Sequence, residues 1–271
     1  MTLQRRTVAD MRDLKGRRTM TMLKVDTLEE AEAASAAGID MLSIHMENWS
    51  PRMRQAAGFC FVQVVLLYGV HSTYDDYLRA SHRALMDGGD CIYCCPSLKT
   101  VELLAAEGIP IVGHAGLIPA KATWTGGFRA VGKSAVSARF VFQQVKDLES
   151  AGAFACEIEV VPERVATAIC ERTSLLLLSM GSGSGCDAQY LFAEDVLGNT
   201  LGHKPRHAKS YRDFRAEYAR LQAERVLAFR EFAADVVTCR YPAEEHKVPI
   251  SDTEYNEFIK SLERFPAGGS Q

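Results

Sequence analysis

Short apolar runs recur along this chain, and most are followed by a stretch in which apolar and polar residues alternate with helical spacing. The runs at residues 20–25, 41–44, 59–67, 91–95, 109–112, 154–160 and 175–178 are short and mostly apolar, and they read as buried strands. An eighth falls within residues 190–197. Helix signals lie between the runs. Thr27-Leu-Glu-Glu30 has the form of a capping box, and the alanine-rich stretch behind it stops at Gly38. Helices are expected over residues 73–86, ended by Gly88-Gly89, and over 134–151, ended by Gly152. Pro162 opens another, at a position where a missing N–H costs little. A long charged helix over residues 210–237 follows the last strand.

Strand–helix alternation without a linker predicts a parallel α/β architecture. At 271 residues a closed (β/α)8 TIM barrel is favoured over an open doubly wound sheet. The expected organisation is a single barrel domain over residues 1–271, with a C-terminal helical extension from about residue 207.

Composition narrows the picture. The chain is 47% hydrophobic, enough for a substantial core, and its net charge of −3 leaves no basic footprint for nucleic acid. The opening Met1-Thr-Leu-Gln-Arg-Arg6 lacks the apolar centre of a secretory leader, and no apolar run reaches membrane-span length. Eight scattered cysteines without paired spacing read as reduced thiols of a cytoplasmic protein. Cys91-x-x-Cys94-Cys95 has no second ligand pair for zinc and reads as buried strand thiols.

In a (β/α)8 barrel the active site is built at the C-terminal ends of the strands. Here those ends carry Lys24 and Asp26, His45 and Glu47, Tyr68 or His71, Cys95, His114, Glu157 or Glu159, Ser179, and Glu194 or Asp195. Glu157 and Glu159 share one face of the sixth strand, where partial desolvation would tune a carboxyl for proton transfer; the plain alternative is a salt bridge to a helix. His114, placed just past the fifth strand, would donate to a substrate oxygen or bind a metal; otherwise it bonds nearby backbone. His45 and Glu47 could supply metal ligands, although two residues do not define a site. Gly181-x-Gly-x-Gly185 lacks the dinucleotide fingerprint, and either brings backbone N–H groups to an anion or forms a tight loop. Trp124 and Phe128 flank a second glycine pair, as a lid or as packing.

Gly113-His114-Ala-Gly-Leu-Ile-Pro119, then Gly126-Gly-Phe-Arg-Ala-Val-Gly132, resembles the ketopantoate hydroxymethyltransferase family, with its Gly-His-x-Gly-Leu-x-Pro strand end and glycine loop. Glu159-Val-Val-Pro162, Met180-Gly-Ser-Gly-Ser-Gly-Cys-Asp187-Ala-Gln189, His207-Ala-Lys209 and Tyr241-Pro-x-Glu-Glu-His246 follow the same pattern in order, across residues 105–246. The resemblance implies a hydroxymethyltransferase of pantothenate biosynthesis. Such an enzyme moves a one-carbon unit from 5,10-methylenetetrahydrofolate, as co-substrate, to the 2-oxo acid 3-methyl-2-oxobutanoate or an analogue. It implies Glu159 as acid/base, His114 as a catalytic partner, and a homo-oligomer, a decamer in the family. Substrate contacts are expected from Lys24, His45, Glu47, Tyr93, Ser179 and Gly181.

The N-terminal half departs from that pattern. The family's two Mg²⁺-binding aspartates fall on Met46, or Glu47 if the register slips by one, and on Val64 or Val65. Its nearby glutamate falls on Cys95, and a substrate-contacting lysine falls on Tyr93. Mg²⁺ is therefore left open, with Glu47 its remaining candidate. Two other functions fit the same barrel: a divergent carbon–carbon lyase or mutase, and a non-catalytic relative that binds a small acid.

Overall fold

The computed structural model describes residues 5–263 and residue 265. Helix α1 (Val8–Asp13) leads into β1 (Met20–Lys24), α2 (Leu28–Ala36), β2 (Met41–His45), α3 (Pro51–Ala56) and β3 (Phe61–Val65). Then come α4 (Tyr74–Met86), β4 (Cys91–Tyr93), α5 (Leu98–Ala106) and β5 (Ile111–Gly116). The short α6 (Ala122–Thr125) and long α7 (Ala135–Ser150) precede β6 (Ala155–Glu159), α8 (Glu163–Cys170), β7 (Leu176–Met180), β8 (Ala188–Phe192) and α9 (Ala193–Leu197). All eight strands pair in parallel, in chain order, and β8 closes on β1, which gives the expected closed barrel.

The chain forms two compact units, Met1–Phe214 and Arg215–Gln271. The first is the barrel. The second carries most of α10 (Phe214–Val237) and α11 (Asp252–Leu262). No described helix is long and apolar enough to cross a membrane.

Local chemistry sets the helix starts as expected. Thr27 and Thr73 each close a capping box, with Glu30 and Asp76 reaching back, and Ser134 caps α7. Three boundaries differ by more than two residues. The eighth strand begins at Ala188 and stops at Phe192, because Ala193-Glu-Asp195 starts a helix whose N-terminus favours the two acids. α10 begins at Phe214 rather than residue 210, since Tyr211 N–H is spent on Val196 O. The fifth strand runs on through His114 to Gly116. A Cβ on Gly113 would lie 2.5 Å from Leu148 Cδ2, so this glycine serves close packing of α7 against the barrel wall and does not end the strand.

Alternation along the strands sorts the core into two layers. Leu42, Ile44, Val62, Val64, Ile92, Ala115, Ile158 and Leu177 face the helices. Met20, Met22, Met41, Phe61, Cys91, Val112, Ala155, Leu176, Leu178, Ala188 and Tyr190 fill the interior, joined from below by Met11 of α1. Two-residue steps from these inward positions reach Ser43, His45, Gln63, Tyr93, His114, Glu157 and Glu159. An apolar floor thus gives way to polar side chains toward the C-terminal mouth.

Candidate active site

That mouth opens into a cavity of ≈ 460 Å³. Lys24, His45, Tyr93, Cys95, His114, Glu157, Glu159 and Asp195 line it, with Tyr190, His203 and His207, under apolar walls from Val65, Ile118, Phe128 and Phe192. Such a mixture of apolar lining and few converging polar groups is typical of a small-molecule site.

The sheet register places the polar groups. β5 and β6 pair His114 with Glu157 and Gly116 with Glu159, so one imidazole stands beside two carboxyls. His114 Nε2 lies 2.8 Å from the Leu117 carbonyl and 3.3 Å from Glu159 Oε2. Both are acceptors, so Nε2 carries a hydrogen. Nδ1 lies 2.6 Å from the Tyr93 hydroxyl and 3.7 Å from Glu157 Oε2. Burial opposes the charge on His114, but the Glu159 hydrogen bond, the charges of Glu157 and Glu159 and the Leu117 carbonyl outweigh it, and its pKa is raised. Glu157 is pushed up to about 7, chiefly by burial. Across the barrel, Gln63 Nε2 donates to Glu157 Oε1 (2.7 Å) and to Ser43 Oγ (3.0 Å), while Gln63 Oε1 is buried without a partner among the described residues.

The expected site residues separate into two sets. Lys24, His45, Tyr93, His114 and Glu159 converge on the cavity. His114 does so with both nitrogens already bonded to protein groups and its side chain only 2% exposed. Glu47 points away, with a side chain 68% exposed and 3.7 Å from His45. Ser179 turns into its own loop, donating to Gly183 O at 2.9 Å. Gly181 lies outside the cavity lining; a Cβ there (φ +68°) would come 2.6 Å from His207 Nδ1. The loop's anion is internal, because Glu163 Oε1 accepts from both Ser184 N–H and Ser184 Oγ. Trp124 is 90% exposed, and Phe128 lines the cavity. Of the paired strand-end candidates, Tyr68 and Asp195 line the cavity and His71 and Glu194 do not. Gln63, Ser43, Tyr190 and His203 were not singled out from the sequence, and His207 only as the start of a family motif. Gln63 and Ser43 left a signal, as polar residues inside the apolar runs Phe-Val-Gln-Val-Val and Met-Leu-Ser-Ile.

Residues 79–244 match the family model described as ketopantoate hydroxymethyltransferase. The chain belongs to this family. Among its relatives is a 3-methyl-2-oxobutanoate hydroxymethyltransferase of Thermus thermophilus, 31% identical over 89% of this chain and 99% of that one. The 3-methyl-2-oxobutanoate hydroxymethyltransferase 1 of Methylibium petroleiphilum is 29% identical over 84% of this chain and 75% of its own length. In fold, the barrel is similar to a phosphonopyruvate hydrolase solved with oxalate and Mg²⁺, with TM-score 0.52 and 10% identity over 97% of this chain and 100% of that one.

The family's metal positions are not furnished for Mg²⁺, which takes hard oxygen ligands in octahedral geometry. Met46 packs into the layer between strands and helices, as does Val64; Val65 and Cys95 line the cavity with a methyl face and a thiol. The cavity carboxyls are otherwise engaged: Glu157 with Gln63, Glu159 with His114, and Asp195 with Thr200 at 2.7 Å. Among the described residues no group of three or more His, Cys, Asp or Glu could hold a metal ion. The Cys91–Cys95 cluster does not converge either: Cys91 faces the barrel interior and Cys94 the helices.

Proposed function

We propose that this chain is a hydroxymethyltransferase acting on a small 2-oxo acid, 3-methyl-2-oxobutanoate or an analogue, with 5,10-methylenetetrahydrofolate as one-carbon donor. One observation carries the reading. Glu159 stands at the cavity mouth, 3.3 Å from the imidazole of His114, beside apolar walls. A carboxylate so placed is a general base for the proton on C3.

In this reading Lys24 binds the substrate carboxylate. Its side chain is 15% exposed, paired with Asp26, and its ammonium lies 5.3 Å from the Phe192 ring centroid. Glu159 removes the C3 proton, the C–H electron pair becomes the C2–C3 double bond, and the carbonyl electrons move onto oxygen. The enolate carbon then bonds to the methylene carbon of the donor as the C2 carbonyl re-forms; both C–N bonds of that methylene break, one water supplies the hydroxyl oxygen, and tetrahydrofolate leaves with its nitrogens protonated. Because both His114 nitrogens are bonded within the protein, we assign it the task of holding Glu159 and Tyr93 in place rather than direct contact with substrate. The metal that the family uses to polarise the 2-oxo acid enters no step here, since the residues do not fit it.

The test is hydrogen–deuterium exchange at C3 of 3-methyl-2-oxobutanoate, followed by product formation on adding the folate donor. Wild type should exchange, and Glu159→Gln should lose about 10²–10⁴-fold in rate, the range for removing a general base, while still binding substrate. Exchange by neither protein, with this or related 2-oxo acids, sinks the proposal. Cleavage of a 2-hydroxy diacid instead would point to the lyase alternative.

A further inference from the structure

Forming an enolate concentrates negative charge on the former carbonyl oxygen, and a donor aimed at that oxygen is worth more than any uniform contact. The residues at the mouth do not fit a metal for this task, so the donor must be sought among the side chains present.

Tyr93 ends β4, and its ring lines the cavity. Its hydroxyl lies 2.6 Å from His114 Nδ1. A phenol has one hydrogen to give. With a neutral imidazole, whose Nε2 already bears the ring hydrogen, Tyr93 spends that hydrogen on Nδ1. With an imidazolium, Nδ1–H donates to the phenol oxygen, and the phenol hydrogen is released from Nδ1, with the Cys95 sulfur, a weak acceptor on the cavity wall, as its protein neighbour. The surroundings favour the second state: Glu157 Oε2 stands 3.7 Å from Nδ1 and Glu159 Oε2 3.3 Å from Nε2. The other titratable groups facing the phenol are Cys95 and Tyr190, both held protonated chiefly by burial. Burial, with the charge of Glu157 next, keeps Tyr93 itself a neutral phenol, and therefore a donor.

We propose that Tyr93, gripped by His114, donates the hydrogen bond that carries the enolate oxygen, in the place where other family members use a metal and a lysine. The inference rests on the 2-oxo acid reading above. As the C3 proton passes to Glu159, the carbonyl π electrons arrive on the oxygen that Tyr93 O–H faces; no electrons leave the system and no co-reactant is needed. His114 acts through Tyr93, as a positioning residue.

Tyr93→Phe keeps the ring against His114 and removes only the hydroxyl. Two readouts are taken on the full chain, in EDTA and again with Mg²⁺. One is C3 exchange of 3-methyl-2-oxobutanoate at saturating concentration. The other is the calorimetric Kd of oxalate, a stable planar dianion with the shape of an enolate. Wild-type exchange should survive EDTA, and the variant should exchange about 10²–10³-fold more slowly, with an unchanged melting temperature and oxalate bound at least about tenfold more weakly. Equal exchange in the two proteins overturns the role of Tyr93, and so does wild-type exchange that vanishes in EDTA and returns with Mg²⁺. Absence of exchange with oxalate binding still dependent on Tyr93 overturns the transferase reading and supports the donor. Failure of both readouts overturns both. Should Tyr93→Phe unfold, fluorotyrosine incorporation decides the same point: a more acidic phenol must tighten oxalate binding, and an unchanged Kd overturns the proposal.

Discussion

Glu157→Gln tests whether the polar belt across the barrel holds a titrating carboxyl. Glu157 is 4% exposed, and its pKa rises from 4.5 to about 7. Burial is the main cause; His114 and the Gln63 hydrogen bond pull the other way, and the charge of Glu159 pushes further up. A carboxyl whose folded pKa is raised binds its proton more tightly in the folded chain than in the unfolded one. Its contribution to stability is complete below the unfolded pKa and is lost as pH rises through the folded one. At about 1.4 kcal/mol per pKa unit, a rise from 4.5 to about 7 corresponds to about 3 kcal/mol in all. About 1 kcal/mol of this is gone by pH 5, which leaves about 2 kcal/mol to be lost between pH 5 and pH 7. His114, with its own raised pKa, also loses stability as pH rises, and the two groups titrate as one coupled pair. A glutamine at position 157 still accepts from Gln63 Nε2 and has no proton to lose. Denaturant unfolding of both proteins from pH 5 to pH 8 should show the variant gaining about 2 kcal/mol on the wild type by pH 7 and levelling off above it. The infrared band of a buried protonated carboxyl should disappear with the substitution. A stability difference that does not change with pH refutes the argument.

Two further outcomes follow from other parts of the barrel. Lys24→Met should raise KM for the 2-oxo acid by about 10–100-fold, the worth of one charged hydrogen bond, with a smaller change in kcat; an unchanged KM would remove Lys24 from carboxylate binding. Asp40, buried beneath β1 and β2, is held by Arg18 (2.6 and 2.8 Å), by Arg6 and by the Thr21 amide (2.9 Å), and although burial pushes against it these partners keep its carboxyl ionised well below the usual range. Both arginines reach solvent, so Asp40→Asn should cost about 2–3 kcal/mol near neutral pH, toward the low end for a broken buried pair. That deficit should shrink as the pH falls and the wild-type carboxylate itself becomes protonated, and unfolding curves at neutral and acid pH check both parts.

Strand and helix identities were legible because their signals are local. Thr27 with Glu30 and Thr73 with Asp76 cap their helices through residues three apart, and a strand covered on both faces is apolar at most positions. Boundaries were less legible where a neighbour decides them. Gly113 reads as a breaker until Leu148 is seen pressed against it. Ser179 and Gly181 read as ligand-facing until the loop is seen closed on Glu163 and His207, because nothing in a glycine-rich stretch says whether the nearby anion is a ligand or a side chain.

By itself the sequence determined the barrel, the family and the placement of Lys24, His45, Tyr93, His114 and Glu159 at strand ends, since strand period and motif order are properties of the chain read in one dimension. Only the tertiary structure decided how these groups are spent. Closing the barrel brings Gln63 against Glu157 across 94 residues of chain, and register sets His114 between two carboxyls with Tyr93 on its remaining nitrogen. A hydrogen bond needs its partner within about 3 Å and in line, and no spacing along a sequence specifies that for residues on opposite walls of a barrel.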